Sequence, residues 1–319
     1  MHRREFLTGT AAVAIAATKV VRAATPLDDI PIIDTHIHLF DGSRPQGAPY
    51  KGSKQYEGGI ALPSMYRALA QPLGIVGAIE LEASPWIEDN LWVLQTSQND
   101  TIMVGTVGNL QPEKPEFAEY LERYHRNPLF RGIRYGNLWT YDLVEQVTNP
   151  AFIAGLKLLA QADLVLDTAN PRVNLLQAIV KVNDNVPNLR IVIDHLPSLD
   201  PTPDDQATYD AVLKEIHSRP NIFVKLSEID HRVNAEVVSG LVAHRARLDL
   251  LMETFGEDRV VFGSDWPNSV GIATLAQIVE LTRSYFATRS HAAAEKYFWK
   301  NSLQAYKWVK RSANQPSVA

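Results

Sequence analysis

From Asp28 onward the chain repeats one unit eight times: a short run rich in Val and Ile, then an amphipathic stretch. The apolar runs fall at 32–38, 75–81, 102–107, 132–135, 164–168, 191–195, 222–226 and 260–263. They do not alternate strictly between apolar and polar residues, the pattern of strands buried on both faces of a parallel sheet. Between them the sequence predicts helices at 63–70, 89–98, 115–125, 151–162, 173–182, 205–217 and 237–255. Phe117, Tyr120, Leu121 and Tyr124, for example, fall at i, i+3, i+4 and i+7 and form one apolar stripe. Pro, Asn, Asp and Gly punctuate many junctions. Two further apolar stretches follow at 272–286 and 292–309, and 314–319 is expected to fray.

Eight strand–helix units fit a (β/α)8 TIM barrel, here a single domain over residues 28–311. An open doubly wound sheet is the other arrangement of such units. It lacks support, because no G-x-G-x-x-G follows the first run and no P-loop occurs anywhere. A length of 319 residues is near the upper limit for one core, and no linker, repeat or low-complexity tract divides the body. With 45% hydrophobic residues the chain is not disordered. Its net charge of -5 argues against nonspecific partners such as nucleic acid or an anionic membrane surface. There is no cysteine, so a thiolate nucleophile is excluded and any metal must be held by nitrogen and oxygen.

Residues 1–23 carry the grammar of an export signal. Arg3 and Arg4 precede Phe6-Leu7, a weakly apolar run covers 11–17, and Val21-Arg22-Ala23 offers a small-residue cleavage site. The paired arginines resemble a twin-arginine signal, with His2 where that pattern usually has Ser or Thr. The expectation is a protein passed through the twin-arginine machinery to the periplasm, with no membrane anchor in its mature form. The apolar run is far shorter than a membrane span requires.

The polar residues gather at strand ends, where a barrel of this kind builds its active site. The first run ends Asp34-Thr35-His36-Ile37-His38, so two imidazoles at i and i+2 enter one cavity. Burying both calls for a partner, either a divalent cation or an anionic ligand. The sixth run ends Asp194-His195 and the eighth is followed by Ser264-Asp265-Trp266-Pro267. Taken singly, His195 reads as a satisfied strand-end histidine and Asp265 as a helix cap. Together with the pair on the first strand they suit a site that activates water. His125, His217, His244 and His291 are expected to be solvated on helices, while His231 belongs near the rim. Arg134, Lys225 and Arg232 offer a grip on a substrate carboxylate, the two arginines alternatively pairing with structural carboxylates such as Glu80, Glu82 or Asp230. Glu80 and Glu82 are equally suited to accepting hydrogen bonds from sugar hydroxyls. Trp86, Trp139 and Trp266 stand where they can wall a pocket.

Asp34-Thr35-His36-Ile37-His38, Gly132-Ile133-Arg134, Ile193-Asp194-His195-Leu196, Val224-Lys225-Leu226-Ser227 and Phe262-Gly263-Ser264-Asp265-Trp266-Pro267 together resemble the amidohydrolase superfamily. Within amidohydrolase family 2 they are most similar to the lactonase-type branch of sugar-lactone, pyrone-dicarboxylate and sulfomuconolactone hydrolases. The resemblance implies a barrel in which Asp265 activates water while His36, His38 and His195 polarise a carbonyl or hold a metal. Two departures bear on that metal. Strand five ends Leu166-Asp167-Thr168-Ala169-Asn170 without histidine, and strand four ends Arg134-Tyr135-Gly136 without a bridging lysine. A binuclear centre is therefore not expected. One divalent ion, zinc or manganese, would rest on His36, His38 and Asp265, with His195 as a fourth ligand. Metal-independent catalysis stays open, since some relatives open lactones without metal. The expected substrate is a small molecule, an acidic or sugar-derived lactone, with Arg134, Lys225, Arg232, Glu80 and Trp266 binding it. Two alternatives stand: a nonoxidative decarboxylase of the same superfamily, which would want the strand-five histidine, and a non-catalytic binding protein on the scaffold. The sequence carries no signal for oligomeric state.

Overall fold

A computed structural model describes residues 27–50 and 59–317, so the expected signal at 1–23 lies outside the described residues. Eight strands form one sheet in sequential order. They are β1 (Ile32–Ile37), β2 (Ile75–Leu81), β3 (Met103–Gly108), β4 (Phe130–Arg134), β5 (Val165–Asp167), β6 (Arg190–Ile193), β7 (Ile222–Leu226) and β8 (Val260–Phe262). Each neighbouring pair is parallel. One helix follows each strand: α1 (Pro63–Ala70), α2 (Asp89–Gln98), α3 (Phe117–His125), α4 (Pro150–Gln161), α5 (Val173–Asn185), α6 (Gln206–His217), α7 (Leu241–Phe255) and α8 (Leu275–Phe286). The result is the expected (β/α)8 barrel. Strands β1, β3, β5, β7 and β8 are buried at every position, which is why they read as continuous apolar runs.

The barrel closes where β8 meets β1. Ile37 bridges Trp266, the His38 amide donates to the Trp266 carbonyl at 2.8 Å, and the Asp265 amide donates to the His36 carbonyl at 2.9 Å. The staves approach closely at two glycines. A Cβ on Gly132 would lie 2.4 Å from Val165, and one on Gly263 would lie 3.0 Å from the His36 Cβ. Side chains there would push β4 from β5 and crowd the histidine on β1.

Some local expectations need correction. The stretch 237–255 is not one helix: Glu236–Val238 pairs antiparallel with His231–Val233, and α7 starts only at Leu241, after Gly240 at φ 87°. Two adjacent valines favour the extended form, and the glycine breaks the chain direction. Similar short ribbons join Phe40–Asp41 to Ile60–Ala61 and Asn137–Leu138 to Tyr141–Asp142. The terminal stretch is divided into His291–Glu295, a π-helical turn at Lys296–Lys300 and Asn301–Tyr306. The tail does not fray at Gln315, whose amide donates to the Val76 and Thr101 carbonyls at 3.0 and 2.8 Å. No helix among the described residues is long and apolar enough to cross a membrane.

Candidate active site

The alternation along β1 places Asp34, His36 and His38 on one side of the strand. Asp34 joins the barrel seam. Its carboxylate accepts from the His36 and Ser264 amides at 3.0 and 2.9 Å and from the Tyr66 hydroxyl at 2.6 Å. His38 Nδ1 donates to the Leu81 carbonyl at 2.9 Å, which leaves Nε2 with its lone pair. That nitrogen lies 3.2 Å from His36 Nε2 and 3.2 Å from Asp265 Oδ1, and His36 Nε2 lies 3.3 Å from the same oxygen. His195 Nε2 approaches Asp265 Oδ1 to 3.9 Å, while its Nδ1 is 2.8 Å from the Ser227 hydroxyl. Four groups from β1 and the ends of β6 and β8 thus meet, all nearly closed to solvent.

Backbone turns aim these groups. Asn170, His195, Glu228 and Asp265, just past β5, β6, β7 and β8, have φ of 46°, 54°, 48° and 57°. Such left-handed conformations cost non-glycine residues about 1 kcal/mol or more. Asn, Asp and His tolerate them best, so three of the four residue types suit the turns and Glu228 does not.

Burial would raise the Asp265 carboxyl, but the three histidines outweigh it and hold it below the usual carboxylate range. His36 is driven the other way: burial holds it well below its ordinary value and so neutral. An ion bound at about 2.0–2.1 Å by tetrahedral ligands sets those ligand atoms roughly 3.3 Å apart. The spacings of 3.2, 3.2 and 3.3 Å among His36, His38 and Asp265 match that requirement. Two imidazole nitrogens facing a carboxylate oxygen are the donor set a divalent cation takes, so these residues fit a metal.

One layer deeper lies a charged cluster that sequence reasoning assigned to the ligand. Lys225 is fully buried, with Nζ 2.9 Å from Asp167 Oδ1 and 2.8 Å from Asp194 Oδ1. Arg134 donates through Nε to Asp194 at 3.1 Å and to the Thr168 carbonyl at 3.1 Å, and its Nη2 pairs with Asp194 at 3.0 Å. Arg232 is exposed and donates to the Ala235 and Gly271 carbonyls, holding its hairpin. Arg134 thus takes the alternative of pairing with a structural carboxylate, here Asp194, while Arg232 bonds carbonyls. Trp266 is buried to 1% and packs on Tyr66, so it fills the seam and does not wall an opening. His244 is also buried, 3.2 Å from Asp230 and 3.2 Å from the Val238 carbonyl, and not solvated.

The end of β2 is different. Glu82 accepts from the Ser84 amide and from Trp139 Nε1, each at 3.1 Å. Its Oε1 and both oxygens of the fully buried Glu80 have no hydrogen-bond partner among the described residues. Burial pushes Glu82 up to about 7, and burial with the Glu82 charge pushes Glu80 well above the ordinary range. Sequence reasoning did not single out Ser227, Asp167 or Tyr50. The signal for Ser227 was available, since it shares an inward parity with Lys225, while no residue of the Asp167 strand had been chosen. Tyr50, whose hydroxyl donates to Asn268, sits in a loop with no periodicity to read.

The sequence matches the Amidohydrolase family over residues 33–308. It is 25% identical over 282 residues to an L-fucono-1,5-lactonase of Burkholderia multivorans, covering 84% of this chain and 92% of that protein. A crystal structure of a Burkholderia multivorans amidohydrolase with bound Zn superposes with a TM-score of 0.74 at 22% identity, over 87% of this chain and 99% of that one. A Pseudomonas putida structure, a candidate 2-pyrone-4,6-dicarboxylic acid hydrolase, gives a TM-score of 0.67 at 17% identity over 87% and 98%. The barrel and the match over nearly all of it lead to one conclusion: this chain belongs to the amidohydrolase family.

Proposed function

We propose that the protein hydrolyses a lactone, and that Asp265 activates the water. The observation that carries this reading is the convergence of His36, His38 and His195 on one oxygen of Asp265, at 3.2–3.9 Å, at the end of a barrel. The likeness to an L-fucono-1,5-lactonase supports it. The ionised Asp265 carboxylate takes a proton from water as the water oxygen bonds to the lactone carbonyl carbon. His195 faces the developing oxyanion. Its Nδ1 lies 2.8 Å from the Ser227 hydroxyl, and in the tautomer that accepts from that hydroxyl Nε2 carries the proton and can donate. When the tetrahedral carbon collapses, the ring C–O bond breaks and the departing alkoxide takes back the proton held on Asp265. His36, His38 and Asp265 would hold a divalent ion such as zinc or manganese. Such an ion, when bound, supplies Lewis acidity to the carbonyl.

The substrate we infer is a neutral, hydroxyl-bearing lactone. Lys225 and Arg134 are already committed to Asp167 and Asp194, while Glu82 Oε1 and Glu80 are unsatisfied acceptors suited to hydroxyl donors. A lactone panel read with a pH indicator tests both points. Turnover of neutral sugar lactones, weak turnover of dicarboxylated pyrones, and loss of activity in chelator with recovery on adding zinc are expected. A folded, metal-supplemented protein inert toward every lactone would overturn the reading, and full activity in chelator would remove the metal from it. Export through the twin-arginine machinery is proposed from Arg3-Arg4 and Val21-Arg22-Ala23. An intact Met1 on active protein in the cytoplasm, found by N-terminal sequencing, would count against it.

A further inference from the structure

Lys225 sits in surroundings that a metal ion would also accept. Its ammonium lies 2.8 Å from Asp194 Oδ1, 2.9 Å from Asp167 Oδ1 and 3.5 Å from His36 Nδ1, with the Tyr306 ring 5.5 Å away. The other oxygen of each carboxylate is taken: Asp167 Oδ2 accepts from the Tyr306 hydroxyl at 2.5 Å, and Asp194 Oδ2 is held by Arg134. Lys225, Asp167, Asp194 and His36 are all fully buried. Two carboxylate oxygens converging on one point form a hard oxygen donor set. There are thus two adjacent places for a cation, one on each side of His36. Its Nε2 faces His38 and Asp265, and its Nδ1 faces Asp194 and Lys225.

We propose that the Lys225 ammonium is a built-in cation that occupies the deeper place and keeps a divalent ion out of it. The charges agree. Two buried carboxylates are balanced by two organic cations, Lys225 and Arg134, so a divalent ion added beside them would leave an uncompensated positive charge. Removing Lys225 leaves Asp167 and part of Asp194 facing an open volume the size of a side chain, without a counter-charge. That deficit draws in a divalent ion. The inference does not depend on what the upper place holds, because the test reads a difference between two proteins.

Zinc per chain is measured by elemental analysis after equilibration with zinc and gel filtration, for the wild type, Lys225→Ala and Lys225→Ala/Asp167→Asn. Lys225→Ala is expected to hold roughly one more zinc than the wild type, and the double variant to lose that gain. A wild type with no zinc would count against the metal of the proposed reaction and leave this difference intact. A folded Lys225→Ala with unchanged zinc content overturns the inference. Should Lys225→Ala fail to fold in chelator, zinc is expected to restore the folded form, read by circular dichroism, and failure of zinc to do so overturns it equally.

Discussion

The two ends of the barrel are finished in opposite ways. At the N-terminal end of the strands, arginines gather helix-terminal carbonyls. Arg259, just before β8, donates to five carbonyls: Ile216, His217, Arg219, Ile222 and Thr254. Most of these belong to the last turns of α6 and α7 or the residues just after, where unpaired carbonyls and the negative end of the helix dipole want a cation. Arg311 does the same beyond α2, donating to the Ser97, Gln98, Asp100 and Met103 carbonyls. At the C-terminal end, imidazole nitrogens face each other at 3.2 Å, three glutamate oxygens lack partners among the described residues and four residues take left-handed turns. One end is arranged for stability. The other holds groups in reserve for a ligand, at a cost in stability.

The contrast is broken most sharply by Asp265→Asn. It should lower kcat by about 10² or more, and the thermal midpoint should fall, since the histidines that stabilise the ionised carboxylate lose their partner. Activity within a few-fold of wild type in a folded variant would strip the rim of its assigned role. The opposite end should behave in reverse. Arg259→Ala strands several helix-terminal carbonyls and should cost roughly 3 kcal/mol in urea unfolding, with kcat nearly unchanged. A variant that kept its stability but lost turnover would erase the division of labour.

The smallest effect refines the picture through pH. Burial lifts Glu82 from its ordinary 4.5 to about 7. Between those values the folded chain keeps a proton that the unfolded chain has lost. Stability from this group is therefore full below pH 4.5 and declines as pH rises through 7, by up to about 1.4 kcal/mol per unit. His38, Arg134, Trp139 and Glu80 are the groups that face it electrostatically. Glu82→Gln should shrink the fall in thermal midpoint between about pH 5 and 8. An unchanged slope would mean that Glu82 is ionised at little cost and the rim is less strained than its geometry implies.

What the sequence reveals depends on how far each residue's role is set by its neighbours along the chain. Parallel strands buried on both faces leave Val and Ile runs that no other element imitates, so all eight staves were legible. So was the inward pairing of His36 and His38, which follows from the two-residue period. Depth was not legible. Lys225 has the inward parity of a ligand-facing residue but lies two positions before Ser227, one layer beneath the rim. Parity gives the side of a strand and says nothing of height above its partners. Arg232 was misread because 231–238 folds back as a ribbon, a choice made by pairing across a turn. Gln315 was misread because its partners lie at the starts of distant strands.

The seam between β1 and β8 also sets when this protein can begin to work. His38 and Asp265 are 227 residues apart in the chain, yet they meet across the joint that completes the ring. A ribosome-bound chain with seven staves already holds both β1 histidines and His195, but not Asp265, the carboxylate on which all three converge. On the proposed mechanism every intermediate short of closure is therefore inert, however much native structure it has gained. Chemistry would then arrive with the last stave, and a truncation that removes β8 would leave three histidines without their carboxylate.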